Sequence, residues 1–309
     1  MLLAACGGNT QPSASIATIP PPAPPLPPPS TPLASPVFPQ LGHVGIIVLE
    51  NQSYDSVVGS SAMPYLNTLI GQNAVATNYY GNAHPSLPNY FMLTVGDTVT
   101  NSDAFTGKVT NDNVVRHLLA AGKSWKAYLE SLPSVGYTGG DSGPYVRRHN
   151  PFTYLSDVVD YPNQVTNMVP FTQLSADMAG QLPEYFFIAP DDTHNAHDCP
   201  AGMIVCTTDD KLAAADQWLK ANVAPLLASP AFQASGLLVI TFDESVITDA
   251  ANGGGHVVTV LVGTGVKPGF RSTNYYQHQS VLRLMLQTLG IANYPGAAAN
   301  APEMREFFP

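Results

Sequence analysis

Three short apolar runs in this chain end on acids. Residues 43–49 (HVGIIVL) lead into Glu50-Asn51, 184–189 (EYFFIA) into Pro190-Asp191-Asp192, and 236–242 (GLLVITF) into Asp243-Glu244. Runs this short, rich in β-branched and aromatic residues, suit strands buried on both faces of a parallel sheet. Ligands of open α/β sheets bind beyond the carboxyl ends of the strands, so the acids fall where a site belongs. The chain carries six glutamates among 309 residues, and Glu50 and Glu244 stand at these ends. Neighbouring carboxylates raise each other's pKa unless a positive group lies between them. Lys and Arg total only 12 against 22 Asp and Glu, so a divalent cation is the expected counter-charge. Oxygen ligands suit Mg²⁺, Ca²⁺ or Mn²⁺, and added imidazole moves the choice toward Mn, Fe or Zn.

Each acid taken alone also reads as a helix cap or turn residue, and for Asp191 and Asp192 that reading leads. His194 and His197 have the spacing of a shared metal or phosphate site, or of a solvated loop pair. His43 and His117 read as structural, and His256, after Gly253-Gly254-Gly255, as either.

Between the apolar runs the pattern alternates. Helices are expected over 63–72, 88–95, 111–121, 209–228 and 280–289, and further strands over 124–129 and 257–262. This alternation specifies an α/β fold, a three-layer sandwich around a mostly parallel central sheet, with a loop-rich insertion near 131–170. Apolar residues make up 45%, enough for a core, and the formal net charge is −10. No Lys or Arg precedes Lys108, and Arg147-Arg148 is the one basic pair. Nucleic acid is excluded as a partner, since phosphate neutralisation needs a basic footprint.

The N-terminus reads as an export segment. Leu3-Ala4-Ala5-Cys6 resembles a lipoprotein lipobox, and twelve prolines follow between Pro12 and Pro39 without a charge. Residues 1–9 are therefore expected to be a signal remnant, with membrane attachment through a lipidated Cys6. Residues 10–39 form a disordered, polyproline-like tether, and 40–309 the catalytic domain. That places the protein in the periplasm, on the outer membrane or outside the cell. An oxidising compartment lets Cys199 and Cys206 pair; a thiol-based zinc site is the weaker alternative, since a second Cys pair is missing.

One motif remains. In His84-Pro85-Ser86-Leu87-Pro88-Asn89-Tyr90, two prolines fix a turn before a helix and put Ser86 near its start. Backbone N–H groups there favour anions, and a base or metal would make the hydroxyl a nucleophile; the alternative is a plain N-cap serine. The chain contains neither a Gly-x-Ser-x-Gly elbow nor a Walker loop.

The stretch from Val44 to Gly96 resembles the phosphoesterase family of bacterial acid phosphatases and phospholipases C. RRHNPFTYLSDV at 147–158, NAHDC at 195–199, LLVITFDES at 237–245 and QHQSVLRLML at 277–286 fit the family in the same order. The nearest pattern is that of the short secreted acid phosphatases. The resemblance implies an alkaline-phosphatase-like fold and metal-assisted phosphoryl transfer to Ser86. It implies metal ligation by Glu50, Asn51, Ser86, Asp243 and Glu244, with a cation of Ca, Mg, Mn or Zn. His197 would contact phosphate or act as acid and base, with His149 and His278 as further catalytic histidines. Leu49, where the short phosphatases tend to have a second glutamate, and Ser245, after the acid pair, depart from the pattern. The expected activity is a secreted, metal-dependent acid phosphatase acting on small-molecule or lipid phosphoesters. The alternatives are a phospholipase C-type phosphodiesterase and a non-catalytic binding lipoprotein.

Overall fold

The computed structural model describes residues 1, 2, 7, 8 and 38–309. Cys6 and nearly all of the Pro-rich stretch lie outside the described residues. The body, Phe38–Pro309, contains strands β1 (His43–Leu49), β2 (Ala74–Ala76), β3 (Tyr79–Tyr80), β4 (Trp125–Leu129) and β5 (Met168–Pro170). They are followed by β6 (Tyr185–Ala189), β7 (Gly236–Phe242), β8 (Thr259–Gly263), β9 (Arg271–Ser272) and β10 (Tyr276–Gln277).

Eight strands form one sheet in the order β5-β4-β6-β1-β7-β8-β2-β9. The three acid-tipped runs are thus neighbours, with β1 between β6 and β7, and they run parallel. Leu49 lies beside Phe242 in the register, so Glu50 and Asp243 leave the sheet side by side. Gly45 lets this centre close, because a Cβ there would sit 1.9 Å from the ring of Phe186 on β6. The α/β expectation with a mostly parallel sheet holds. Its exception is β8, which starts two residues later than expected and runs antiparallel to β7 and β2. No helix occurs between β7 and β8, and a parallel return needs a crossover. An apolar run encodes burial but not direction.

Helices cover the sheet in packed pairs. Pro64–Gln72 lies against Thr208–Ala228, and the buried Asp216 carboxylate on the second caps the first, accepting from Tyr65 N at 2.9 Å and Leu66 N at 2.8 Å. The long helix opens with a capping box between Thr207 and Asp210. Ser86–Val95 packs against His278–Thr288, and all ten residues of Ser86–Val95 are buried. A helix apolar all round belongs to the interior. Both helices begin two residues earlier than the apolar pattern indicated, because Ser86 and His278 are polar residues turned inward. The expected helix over 111–121 shortens to Val114–Ala120, with Asn113 capping Arg116 N at 3.2 Å. A second small sheet escaped the reading: β10 pairs with β3, Tyr276 beside Tyr79.

The insertion is ordered by short elements. After β4 it folds into 3-10 turns at Arg147–His149 and Pro151–Thr153, then helices Ser156–Val159 and Pro162–Val165 and strand β5. A file of rings ties it to the core. Trp125 stacks on Phe152 at 5.0 Å, Phe152 meets Phe187 at 5.3 Å, Phe187 meets Tyr90 at 6.1 Å, and Tyr90 stacks on His149 at 5.2 Å. Aromatic pairs of this kind contribute about 0.5–1.5 kcal/mol each beyond burial, so His149 is held by packing as well as by polar contacts.

Cys199 and Cys206 are joined in a disulfide that closes the loop after β6. The protein as isolated from an oxidising compartment is expected to alkylate at neither Cys199 nor Cys206 until it is reduced, read by peptide mass spectrometry. Alkylation of both in unreduced protein contradicts the closed loop.

Candidate active site

Ser86 opens the buried helix but does not cap it. The cap position belongs to Pro85, after a cis His84–Pro85 peptide, and no side chain on the helix caps it. Asp103 serves instead, its Oδ1 accepting from Leu87 N at 2.9 Å. The Ser86 hydroxyl, only 3% exposed as a residue, donates to Glu50 Oε2 at 3.0 Å. The N-cap reading of this serine therefore gives way to one in which its oxygen faces the acids.

Glu50 is fully buried. Its Oε1 accepts from the Tyr90 hydroxyl and lies 3.3 Å from His149 Nε2. Burial raises its pKa well above the usual carboxylate range, Asp243, Asp192 and Glu244 push the same way, and the Tyr90 hydrogen bond opposes. Asn51 follows at φ +47°, a left-handed conformation that Asn tolerates better than most residues. Its N–H reaches Asp243 Oδ1 at 3.2 Å. Its side-chain Oδ1 meets Glu50 Oε2 and Asp243 Oδ1 at 3.1 Å each and Ser86 Oγ at 3.4 Å. Such a meeting of oxygens is favourable in two ways: with the amide turned over to donate to both acids, or around a cation. Asp243 Oδ2, buried, has no hydrogen-bond partner among the described residues, and burial pushes its carboxyl up to about 6. A buried carboxylate oxygen without a partner is costly unless it is neutralised. An all-oxygen donor set with an orphaned carboxylate oxygen fits a hard divalent cation held by Glu50, Asn51, Ser86 and Asp243.

Glu244, the fifth expected ligand, has its oxygens taken up. Oε2 accepts from Asn89 Nδ2 at 3.0 Å, and Oε1 faces His84 Nδ1 at 3.2 Å. His84 Nε2 points at the Asp249 carbonyl, 3.0 Å away. Burial first, and Asp243 second, push Glu244 up to about 10. Gly81 brings the strand β3 turn against this segment, since a Cβ would lie 2.8 Å from the Asp243 carbonyl oxygen.

His149 bridges the acids. Nδ1 is 3.2 Å from Asp192 Oδ1 and Nε2 is 3.3 Å from Glu50 Oε1. Burial lowers its pKa despite Asp192. Asp192 is also 3.6 Å from Arg148 Nη2. The turn reading thus holds for Asp191, which accepts from Thr193 N at 3.1 Å and Thr193 Oγ1 at 2.7 Å, and fails for Asp192. His194 and His197 do not converge. His194 meets Glu130 and Asp191, while His197 meets Asp192 and Asp198, its Nδ1 2.8 Å from Asp198 Oδ1. His197 stays partly exposed beside the site. His278 is fully buried behind it. Its Nε2 donates to the Asp243 backbone carbonyl and its Nδ1 meets Tyr79 OH at 2.9 Å, and burial pushes it down to about 4. His43, His117 and His256 bond to Pro183, Asp112 and Thr77 away from the acids.

Six side chains at the site were missed: Tyr90, Asp192, His84, Asn89, Arg148 and Asp103. Tyr90 had a signal, standing one helical turn after Ser86 on the same face. Asp103 comes from a loop and Arg148 from a 3-10 turn, and neither approach leaves a periodic trace.

Asp243 and Glu244 bind protons more tightly folded than unfolded. Without a cation, folding stability is therefore full below their usual values and falls as pH rises, across about 4 to 6 for Asp243 and on toward about 10 for Glu244. Chelator-treated Asp243→Asn/Glu244→Gln protein is expected to lose less melting temperature than the parent between about pH 5 and pH 8. An equal or steeper loss in the double variant contradicts the assignment.

Comparison with known proteins places this geometry. The model of the Phosphoesterase family matches residues 60–292. A probable acid phosphatase of Kluyveromyces lactis is 33% identical over 251 residues, covering 77% of this chain and 55% of that protein. The phosphatidylinositol-3-phosphatase of Mycobacterium tuberculosis is 29% identical over 273 residues, covering 87% of this chain and 84% of that protein. The chain thus spans about half the length of the yeast relative and most of the mycobacterial one. A solved protein of the alkaline phosphatase superfamily from Vibrio parahaemolyticus shares the fold, with TM-score 0.60 at 12% identity, over 88% of this chain and 72% of that one. The lipoteichoic acid synthase of Listeria monocytogenes does so at TM-score 0.57 and 14% identity, over 86% and 80%. With the family match running through Ser86, His149, the acid pair at 243–244 and His278, the chain belongs to the Phosphoesterase family.

Proposed function

We propose that this protein is an exported, metal-dependent phosphomonoesterase that transfers the phosphoryl group to Ser86. The observation that carries the reading is the Ser86 hydroxyl, at the start of a helix and 3.0 Å from Glu50 within a cluster of buried acid oxygens. A divalent cation held by Glu50, Asn51, Ser86 and Asp243 would supply charge neutralisation for a phosphate dianion. The chain's own groups do the rest. Ser86 Oγ loses its proton toward Glu50 and attacks phosphorus, forming the Oγ–P bond as the P–O bond to the alcohol breaks in line. His197, partly exposed and oriented by Asp198, supplies a proton to the departing alcohol. Water then attacks phosphorus, giving a proton to His197, as the Oγ–P bond breaks and the proton held by Glu50 returns to Ser86 with release of phosphate. Arg148 supplies positive charge beside the phosphate, so catalysis here is position and electrostatics. Tyr90 and His149 hold Glu50 in place.

The names of the yeast and mycobacterial relatives support a phosphatase, and the mycobacterial one supports a phosphorylated lipid among the substrates. The disulfide supports export, since such bonds persist in oxidising compartments. A lipidated Cys6 remains part of this proposal.

Ser86→Ala is expected to reduce phosphomonoester turnover by roughly a thousand-fold or more. One lost hydrogen bond should cost only about 1 kcal/mol of stability. An acid quench should trap phosphate on the peptide containing residues 84–90 in the parent protein. Wild-type turnover in folded Ser86→Ala protein contradicts the covalent route. Chelation should abolish turnover and one divalent cation restore it; full activity in metal-stripped protein contradicts the metal dependence. Hydrolysis of phosphodiesters in preference to monoesters would favour the phospholipase C-type alternative.

A further inference from the structure

Arg147 and Arg148 differ from the other arginines. Arg116, Arg271, Arg283 and Arg305 each donate side-chain hydrogen bonds. The guanidiniums of Arg147 and Arg148 donate none to the described residues. Arg148 is held at 3.6 Å between Asp103 and Asp192, beyond hydrogen-bond range. Arg147 lies 4.4 Å over the Tyr154 ring, and its Nε is buried without a partner. Each guanidinium presents five N–H donors in a planar fork, and a buried donor left unpaired is costly.

Both arginines line one groove, together with Asp103, Phe105, Asp141 and Tyr154. The groove reaches the active site through Asp103, whose carboxylate caps Leu87 beside Ser86, and through Arg148, which faces Asp192. One oxygen of each of its two acids is engaged by backbone. Asp103 Oδ1 accepts from Leu87 N, and Asp141 Oδ1 accepts from Arg147 N at 2.8 Å. The buried polar atom left without a partner in the groove is a donor on a cation, Arg147 Nε. Paired forks of this kind match a phosphate's oxygens.

We propose that this groove binds a second phosphate carried on the alcohol half of the substrate, with Arg147 as its specificity-determining contact. Arg148 stands between the two phosphate positions. The preferred substrates are then phosphomonoesters that bear another phosphate, whether a soluble bisphosphate or a lipid headgroup whose diester supplies the second group. The inference rests on the phosphomonoesterase reading for its reaction, but the groove can be read by binding alone.

Calorimetric titration of Ser86→Ala protein tests it without turnover. Inositol 1,3-bisphosphate should bind about tenfold more tightly than inositol 1-phosphate, as charge-assisted bidentate contacts allow. Arg147→Met on that background should remove the difference, and Arg147→Lys should recover part of it. Equal affinities, or a difference that survives in Arg147→Met protein of unchanged melting temperature, would overturn the groove. Turnover of 4-nitrophenyl phosphate, which has one phosphate, should stay within about twofold in Arg147→Met; a larger drop assigns Arg147 to the reaction itself and overturns the proposal. Absence of that turnover in the parent, with the titration difference intact, removes the proposed reaction and keeps the groove. For the source, KM is compared between inositol 1,3-bisphosphate and phosphatidylcholine vesicles holding phosphatidylinositol 3-phosphate. An Arg147-dependent KM in either arm upholds the groove, and the lower value names the source.

Discussion

Burial of acids at the ends of adjacent parallel strands is the constraint from which the rest of this structure follows. β1 and β7 are paired in register, so Glu50 and Asp243 emerge together into an interior from which water is excluded. Burial makes both carboxylates resist ionisation and raises their pKa values, and for Glu50 the nearby Asp243 adds to the rise. Folding alone leaves the pair incomplete, with one oxygen of Asp243 unpartnered. A cation bound there would neutralise the acids and give that oxygen a partner.

Everything packed around the acids either holds them still or aims the serine. The helix from Ser86 is buried on all sides, so its first residue cannot swing away. Tyr90, one turn along, grips Glu50, and Asn89 grips Glu244. The insertion between β4 and β6 provides Arg148 and His149 and is anchored by the ring file running back to Trp125. His278 supports Asp243 from behind through its backbone carbonyl. Removing a ring such as Phe152 would cost roughly 3–5 kcal/mol in packing and would loosen His149 at the same time.

Part of this was legible in the chain and part was not, for physical reasons. The strand ends carrying Glu50, Asp191 and Asp243 could be read because burial on both faces removes polar alternation and makes the first acid conspicuous. Ser86 could be read because prolines on either side restrict the backbone locally. Asp192 was misjudged because a turn aspartate and a site aspartate have the same local pattern; only the distant His149 separates them. His194 and His197 looked like one pair by spacing, yet the loop after β6 turns them to different acids. The antiparallel direction of β8 and the β3–β10 pairing depend on tertiary closure and leave no periodic signal. Arg147 and Arg148 stood out by charge, but that their forks lack partners is a property of the fold.

The most direct measurement is anomalous diffraction from crystals grown with Mn²⁺, a hard cation that scatters anomalously and accepts oxygen ligands. A peak is expected at about 2.0–2.3 Å from oxygens of Glu50, Asn51, Ser86 and Asp243. No peak there, or a peak confined to Glu130, Asp191 and His194, would contradict it.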